Sequence, residues 1–217
     1  MIVGVLLILW IASEIAIPLI ADSYIKNEIK KKYPQAQDVS VSVSAFPALR
    51  LAFRDYSSLT VKVRGITLED INFYSIVLKS KKWPDGTFDA TVLPGEMMRF
   101  FSATHSYVLQ PALSLNQNAI QVSGRMNIGY ATVNITATGN LEPRSGKQIY
   151  FVPDNITITG VSNTAKATGV VREIMAGNPV FVIRADLPFD VTAVKASNGK
   201  LQVIGTVDLS KALKIKL

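Results

Sequence analysis

One histidine, His105, and no cysteine occur in this chain of 217 residues. That pair of facts excludes disulfides, thiolate catalysis, Cys-based metal sites and multi-histidine metal sites, and leaves at most one imidazole for acid–base work. His105 falls at the end of a predicted helix, where an imidazole interacts with the last carbonyls. Asp85 and Asp89 lie around a predicted turn and could form an acid pair, although Asp85-Gly86 is also ordinary turn chemistry. Ser23-x-x-Lys26 has the spacing of a Ser–Lys nucleophile pair without its companion motifs. No G-x-G-x-x-G, Walker-type or G-x-S-x-G run occurs, so phosphate cradles and a nucleophile elbow are missing. Asn134-Ile-Thr and Asn155-Ile-Thr fit the glycosylation pattern but sit in alternating sequence and are read as strand residues. The chain is read as a non-enzyme with no metal and no cofactor.

Charge points to surfaces instead. With 23 Lys+Arg against 16 Asp+Glu, the net charge of +7 favours anionic partners: nucleic acid, anionic lipid or acidic polymer. Nucleic acid fares poorly, because the basic residues are spread over many strands with no aromatic-plus-basic stacking motif. The one local concentration is Lys26, Lys30, Lys31 and Lys32.

Those lysines follow an apolar run. Residues 2–21 carry one charge, Glu14, and one proline, Pro18. At about 1.5 Å per residue the run is about 30 Å long, the thickness of a bilayer core. The uninterrupted apolar part, residues 2–12, also suits a secretory signal, although no small-x-small cleavage site follows. A membrane anchor, or a signal segment, is therefore expected over residues 1–21, with Glu14 toward one interface. Residues 22–33 are expected to form a separate basic amphipathic helix, with Tyr24, Ile25 and Ile29 opposite the lysines, lying on anionic headgroups. Lysines after the run place the body in the cytoplasm by the positive-inside rule, whereas headgroup binding by this helix suits either face.

From Pro34 onward the hydrophobic period changes to two. Val39, Val41 and Val43 alternate with serines, and similar runs begin at Leu59, Ile71, Phe88, Ala119, Ala131, Gln148, Asn155, Val180, Phe189 and Lys200. Ser197-Asn198-Gly199 marks a hairpin between the last two. Residues 94–107 and 164–176 have helical spacing instead, placing Met97 and Phe101 on one stripe and Ala167, Val171, Ile174 and Met175 on another. About ten strands and two isolated helices predict an α+β fold. The expected form is a strongly curved, mostly antiparallel sheet wrapped around one or two helices, in a single β-rich domain over residues 34–217.

Met97, Met98, Phe100 and Phe101 fall within five residues, and Ile174 and Met175 repeat the theme. Methionine lines surfaces that must fit variable apolar shapes, but the same residues also make an ordinary core. The order of motifs resembles the LmeA family of phospholipid-binding proteins. The features are the apolar and basic N-terminal segments, Ser44-Ala45-Phe46-Pro47-Ala48-Leu49, Gly65-Ile66-Thr67-Leu68-Glu69-Asp70-Ile71, Leu187-Pro188-Phe189 and the final Asn198-Gly199-Lys200-Leu201 strand. The chain departs from the family at residues 52–56, where a glycine-containing turn is common. The resemblance implies a bacterial, extracytoplasmic envelope protein similar to the tubular lipid-binding (TULIP) modules, with a curved sheet around a helix and an acyl-chain cavity. Its partners would be phospholipid and membrane.

On that reading Phe46, Leu49, Met97, Phe100, Phe101, Val171, Ile174 and Met175 line a lipid pocket, and Lys26, Lys30, Lys31 and Lys32 meet the headgroups. The physics is sufficient without chemistry. Exposing a 16-carbon chain to water costs on the order of 12 kcal/mol at about 0.8 kcal/mol per CH₂, and a dry groove removes that penalty. Lipid transfer or envelope glycolipid maintenance is one expected role; a scaffold that binds a protein or polymer partner without a cavity is the alternative.

Overall fold

A computed structural model of the chain describes residues 2–53, 55–68, 71–104, 108–116, 119–128, 130–161 and 163–213. His105 lies outside them. The chain opens with one helix, α1 (Ile2–Lys32), with Pro18 inside it and Lys30, Lys31 and Lys32 in its last turn. The expected division into anchor and amphipathic helix is not present. Between residues 18 and 32 there is neither glycine nor proline to stop the hydrogen-bond ladder, and the terminal lysines complement the helix dipole. Pro34, just beyond, prevents further continuation.

The strands follow as β1 (Asp38–Ser44), β2 (Ser58–Leu68), β3 (Ile71–Ser80) and β4 (Asp85–Val92), with a short 3-10 helix, Ala48–Phe53, between the first two. After helix α2 (Pro94–Thr104) come β5 (Val108–Asn116), β6 (Ala119–Ile128), β7 (Ala131–Arg144) and β8 (Gln148–Thr159). Helix α3 (Thr164–Gly177), β9 (Pro179–Val182), β10 (Phe189–Ser197), β11 (Lys200–Asp208) and α4 (Leu209–Leu213) complete the described elements. The fold is α+β and mostly antiparallel, as expected.

The strands form two sheets rather than one: six strands in the order β1-β2-β3-β4-β11-β10, and five in the order β5-β6-β7-β8-β9. β4 takes β11 as its second neighbour, so the strand that follows it in sequence, β5, does not pair beside it and begins the second sheet. Asn198 and Gly199 both have positive φ, the backbone that the β10–β11 hairpin turn requires.

Three local readings change. The predicted turn at Asp85-Gly86 is the start of β4, and the bend lies at residues 81–84. Asp85 and Asp89 are thus four residues apart along one strand, about 13 Å, too far to share a proton. Asp85 has a structural part, because its carbonyl accepts from Ser80 Oγ, which is buried against the Tyr56 hydroxyl at 2.7 Å. The second change is β5, which alternation did not reveal. Pro111 and the positive φ of Gln110 interrupt its pattern, tolerated because β5 is an edge strand. Third, the runs beginning at Gln148 and Asn155 are one strand, β8, with a bulge opposite Gly139.

Two compact units divide the chain: residues 1–90, 187–189 and 206–217 form the first, residues 91–186 and 190–205 the second. The first has a core that includes Val39, Ala48, Val61 and Leu209, with Phe88 and Phe189 meeting edge to face at 5.4 Å. In the second, one face of β6, β7 and β8 buries Val122, Met126, Val133, Ala137 and Phe151. Helix α3 packs on β8 and α2 on β5. Asn163 caps α3 by accepting from the Lys166 N–H at 3.1 Å.

Candidate functional site

Helix α1 has two faces, and its sequence assigns each. Glu14, Pro18, Asp22, Ile25 and Ile29 recur at spacings of three and four and make one stripe. This stripe faces the first unit, where α1 packs on β1 and the 3-10 helix. Ile25 and Ile29 are buried; Glu14 Oε2 accepts from the Ala48 N–H at 2.8 Å and Asp22 Oδ1 from the Val43 N–H at 2.7 Å. β1 is an edge strand, so the Asp22 bond occupies one of the backbone donors that an edge leaves open.

Burial pushes the Asp22 carboxyl above its ordinary value, opposed by the Val43 N–H. A carboxyl raised in the folded state adds stability below the unfolded value, and that stability is lost as pH rises through the folded one. Asp22→Asn keeps an oxygen for Val43 and removes the charge. Wild type and variant are expected to melt together at about pH 3, with the variant melting higher at about pH 7. A variant that melts lower at the higher pH would show that the charged bond outweighs desolvation.

The opposite face of α1 changes character along its length. Ala12, Ile15, Ala16, Leu19 and Ile20 are exposed, and Ile15, Leu19 and Ile20 are each at least 60% so. Ser23 and Tyr24 follow, then Lys26, Asn27, Lys30 and Lys31. Hydrocarbon, then an amphipathic ring, then cations is the order a bilayer presents from core to headgroup.

The expected free span over residues 2–21 is corrected by the inward stripe. Glu14 is held at Ala48 inside the protein and not as an isolated charge in a span. Ahead of it, residues 2–13 reach about 18 Å, short of a bilayer core of about 30 Å. The side chains of residues 2–11 are outside the described part, and among the described residues no helix is long and apolar enough to cross a membrane.

The four predicted headgroup lysines are all exposed, but they are not equivalent. Lys31 pairs with Glu28 at 2.9 Å, and Lys32 donates to the Ala212 carbonyl at 3.3 Å with its amine over the Tyr33 ring.

The predicted pocket residues separate more sharply. Met97, Phe101, Val171 and Met175 are buried in the second unit, and Ile174 is half-buried. Phe46 belongs to the first unit and is 64% exposed beside Pro47. The side chains of Leu49 and Phe100 lie outside the described part.

A cavity of about 330 Å³ in the second unit involves none of these residues. Ile120 of β6 and Leu141 of β7 are its buried apolar lining, Val194 and Ala196 of β10 add to it, and Asn140, Lys195, Ser197 and Gln202 bring polar groups. The neighbouring strand β8 is bulged there: pairing shifts between Thr138 and Gly139 and leaves Asp154 of β8 as the extra residue, opposite the β7 positions just before Asn140 and Leu141. Arg172 of α3 donates to the Pro153 carbonyl at 2.9 Å, and Asn140 Nδ2 donates to Asp154 Oδ2 at 3.2 Å. Alternation reveals that Ile120 and Leu141 face inward, but no sequence signal brings β10 residues to them.

The sequence model of LmeA-like phospholipid-binding proteins matches residues 12–206. This chain belongs to that family. The LmeA-like match takes in the docked part of α1, both helices of the second unit and every residue around the cavity. No curated protein and no solved structure matches the chain significantly. Phospholipid binding is the property by which the LmeA-like family is described. Among the described residues no cluster of three or more His, Asp or Glu side chains could hold a metal ion.

Proposed function

We propose that this protein binds phospholipid at a membrane surface, on the extracytoplasmic side of a bacterial cell membrane, and shields acyl chain without performing chemistry on it. The observation that carries the reading is the outward face of α1, which runs from Ile15, Leu19 and Ile20 through Tyr24 to Lys26 and Lys30. Family membership supports it independently. In this reading α1 inserts its apolar end into the outer part of a bilayer and leaves its lysines among anionic headgroups. Its inward stripe holds the body against that surface, and the exposed Phe46 joins the contact.

The acyl chain is taken up by the apolar interior of the second unit, to which Met97, Phe101, Val171, Ile174 and Met175 belong. Methionine, unbranched and polarizable, re-packs around a guest more easily than β-branched side chains do. Holding a chain out of water in this way is what lipid transfer or envelope glycolipid maintenance needs. Mass spectrometry of an organic extract of the purified full chain tests the reading. Expected is about one phospholipid per protein, with a reduced load in Met175→Leu at unchanged fold. Protein that purifies lipid-free and takes up none from vesicles would leave partner binding as the function.

A further inference from the structure

The cavity of the second unit has the composition of a site for one amphiphile. Half of its lining residues are apolar and half polar; Lys195 supplies a cation, and no carboxylate lines it among the described residues. Asn140 has its amide nitrogen directed to Asp154, so its Oδ1 is the end that can accept from a ligand hydroxyl. Ser197 and Gln202 add donors on the strands of the β10–β11 hairpin. A hydroxyl, two amides and an ammonium around an Ile–Leu–Val surface suit neither a purely apolar guest nor a free ion. They suit a phosphate ester attached to methylenes.

Size narrows the guest further. About 330 Å³ lies at the low end of small-molecule pockets, enough for a phosphoglycerol head and the upper part of one chain but not for two whole chains. Resting on the phospholipid-binding reading above, we infer that this cavity receives the head end of a single anionic phospholipid. Its phosphate lies at Lys195, its glycerol at Asn140 and Ser197, and its first methylenes against Ile120, Leu141 and Val194. Asp154, the extra residue of the β8 bulge, holds the Asn140 amide nitrogen and so fixes which end of Asn140 meets that guest.

Binding of three probes to the full chain, followed by calorimetry, tests the assignment: a single-chain lysophosphatidylglycerol below its micelle concentration, lysophosphatidylcholine of the same chain, and glycerol 1-phosphate. Ala196→Phe fills the half-buried side of the cavity and is expected to weaken both lysolipids about 10-fold or more. Lys195→Glu, at an exposed position where folding is spared, is expected to weaken lysophosphatidylglycerol about 10-fold and lysophosphatidylcholine less. Wild-type affinity for lysophosphatidylglycerol in both variants overturns the cavity assignment and leaves phospholipid binding standing. Glycerol 1-phosphate binding as tightly as the lysolipid makes this a phosphate-ester site and overturns the lipid assignment. A wild-type chain that binds no lysolipid defeats the inference and the underlying reading together.

Discussion

Replacing Lys26, Lys30 and Lys31 together with Gln lowers affinity for vesicles rich in anionic phospholipid on the order of 100-fold. Each basic residue near such a surface contributes about 1 kcal/mol, and about 3 kcal/mol is a factor of this size. All three are exposed on the last turns of α1, beyond the apolar stretch that ends at Ile20, and lie within about 8 Å of one another along the helix axis. Lys31 is included although it pairs with Glu28, because an exposed i,i+3 pair is weak. Lys32 is left in place because its amine is already engaged by the Ala212 carbonyl and the Tyr33 ring. The loss should shrink as salt is raised, since a Debye length of about 8 Å at physiological ionic strength screens exposed charges. Binding to vesicles of neutral lipid, carried by Ile15, Leu19 and Ile20, should stay near the wild-type value. Vesicle flotation at two salt concentrations measures both. Unchanged binding to anionic vesicles would remove the lysine end of α1 from the membrane contact.

Gly139→Val destabilises the protein by about 3 kcal/mol or more, an extreme of the overpacking range. A Cβ on Gly139 would overlap the Val152 carbonyl and lie 2.7 Å from Pro153 Cα, both backbone atoms that no side-chain rotation can move aside. Relief requires β7 and β8 to separate at the bulge, which would also disturb the Arg172–Pro153 and Asn140–Asp154 bonds. For a chain of this length the melting temperature should fall by about 6–12 °C. Gly169, on the exposed side of α3 with nothing within 4 Å of its added Cβ, is the matched control. Gly169→Ala should stabilise by about 0.5–1 kcal/mol through helix propensity. Thermal melts of the two variants beside wild type decide the matter. A Gly139→Val protein that melts with wild type would show that the close approach at the bulge is not maintained in solution.

Most strands were legible because a half-buried antiparallel strand writes its own period. Val39, Val41 and Val43, or Val133, Ile135 and Ala137, mark their faces without help from the rest of the chain. The helices α2 and α3 were legible for the same reason at the other period, and Met97, Phe101, Val171 and Met175 are inward-facing as their spacing implies. β5 was not, because Pro111 and the Gln110 backbone break its alternation where an edge strand permits it. The two-sheet arrangement was not legible either, since hydrogen-bond partners are chosen between residues far apart in sequence.

Residue types and their order alone determined the absence of thiol and multi-histidine chemistry, the α+β class, the apolar-to-basic sequence of α1 and the family. Tertiary structure decided what those residues do. It turned Glu14 from a liability in an apolar run into the acceptor for the Ala48 N–H, and it joined two predicted segments into one docked helix. It also brought Lys195 and Gln202 beside Ile120 and Leu141. The physical reason is range: burial periodicity is set by each residue's immediate neighbours along the chain. The partner of a carboxylate and the walls of a cavity are set by which distant backbone closes against it.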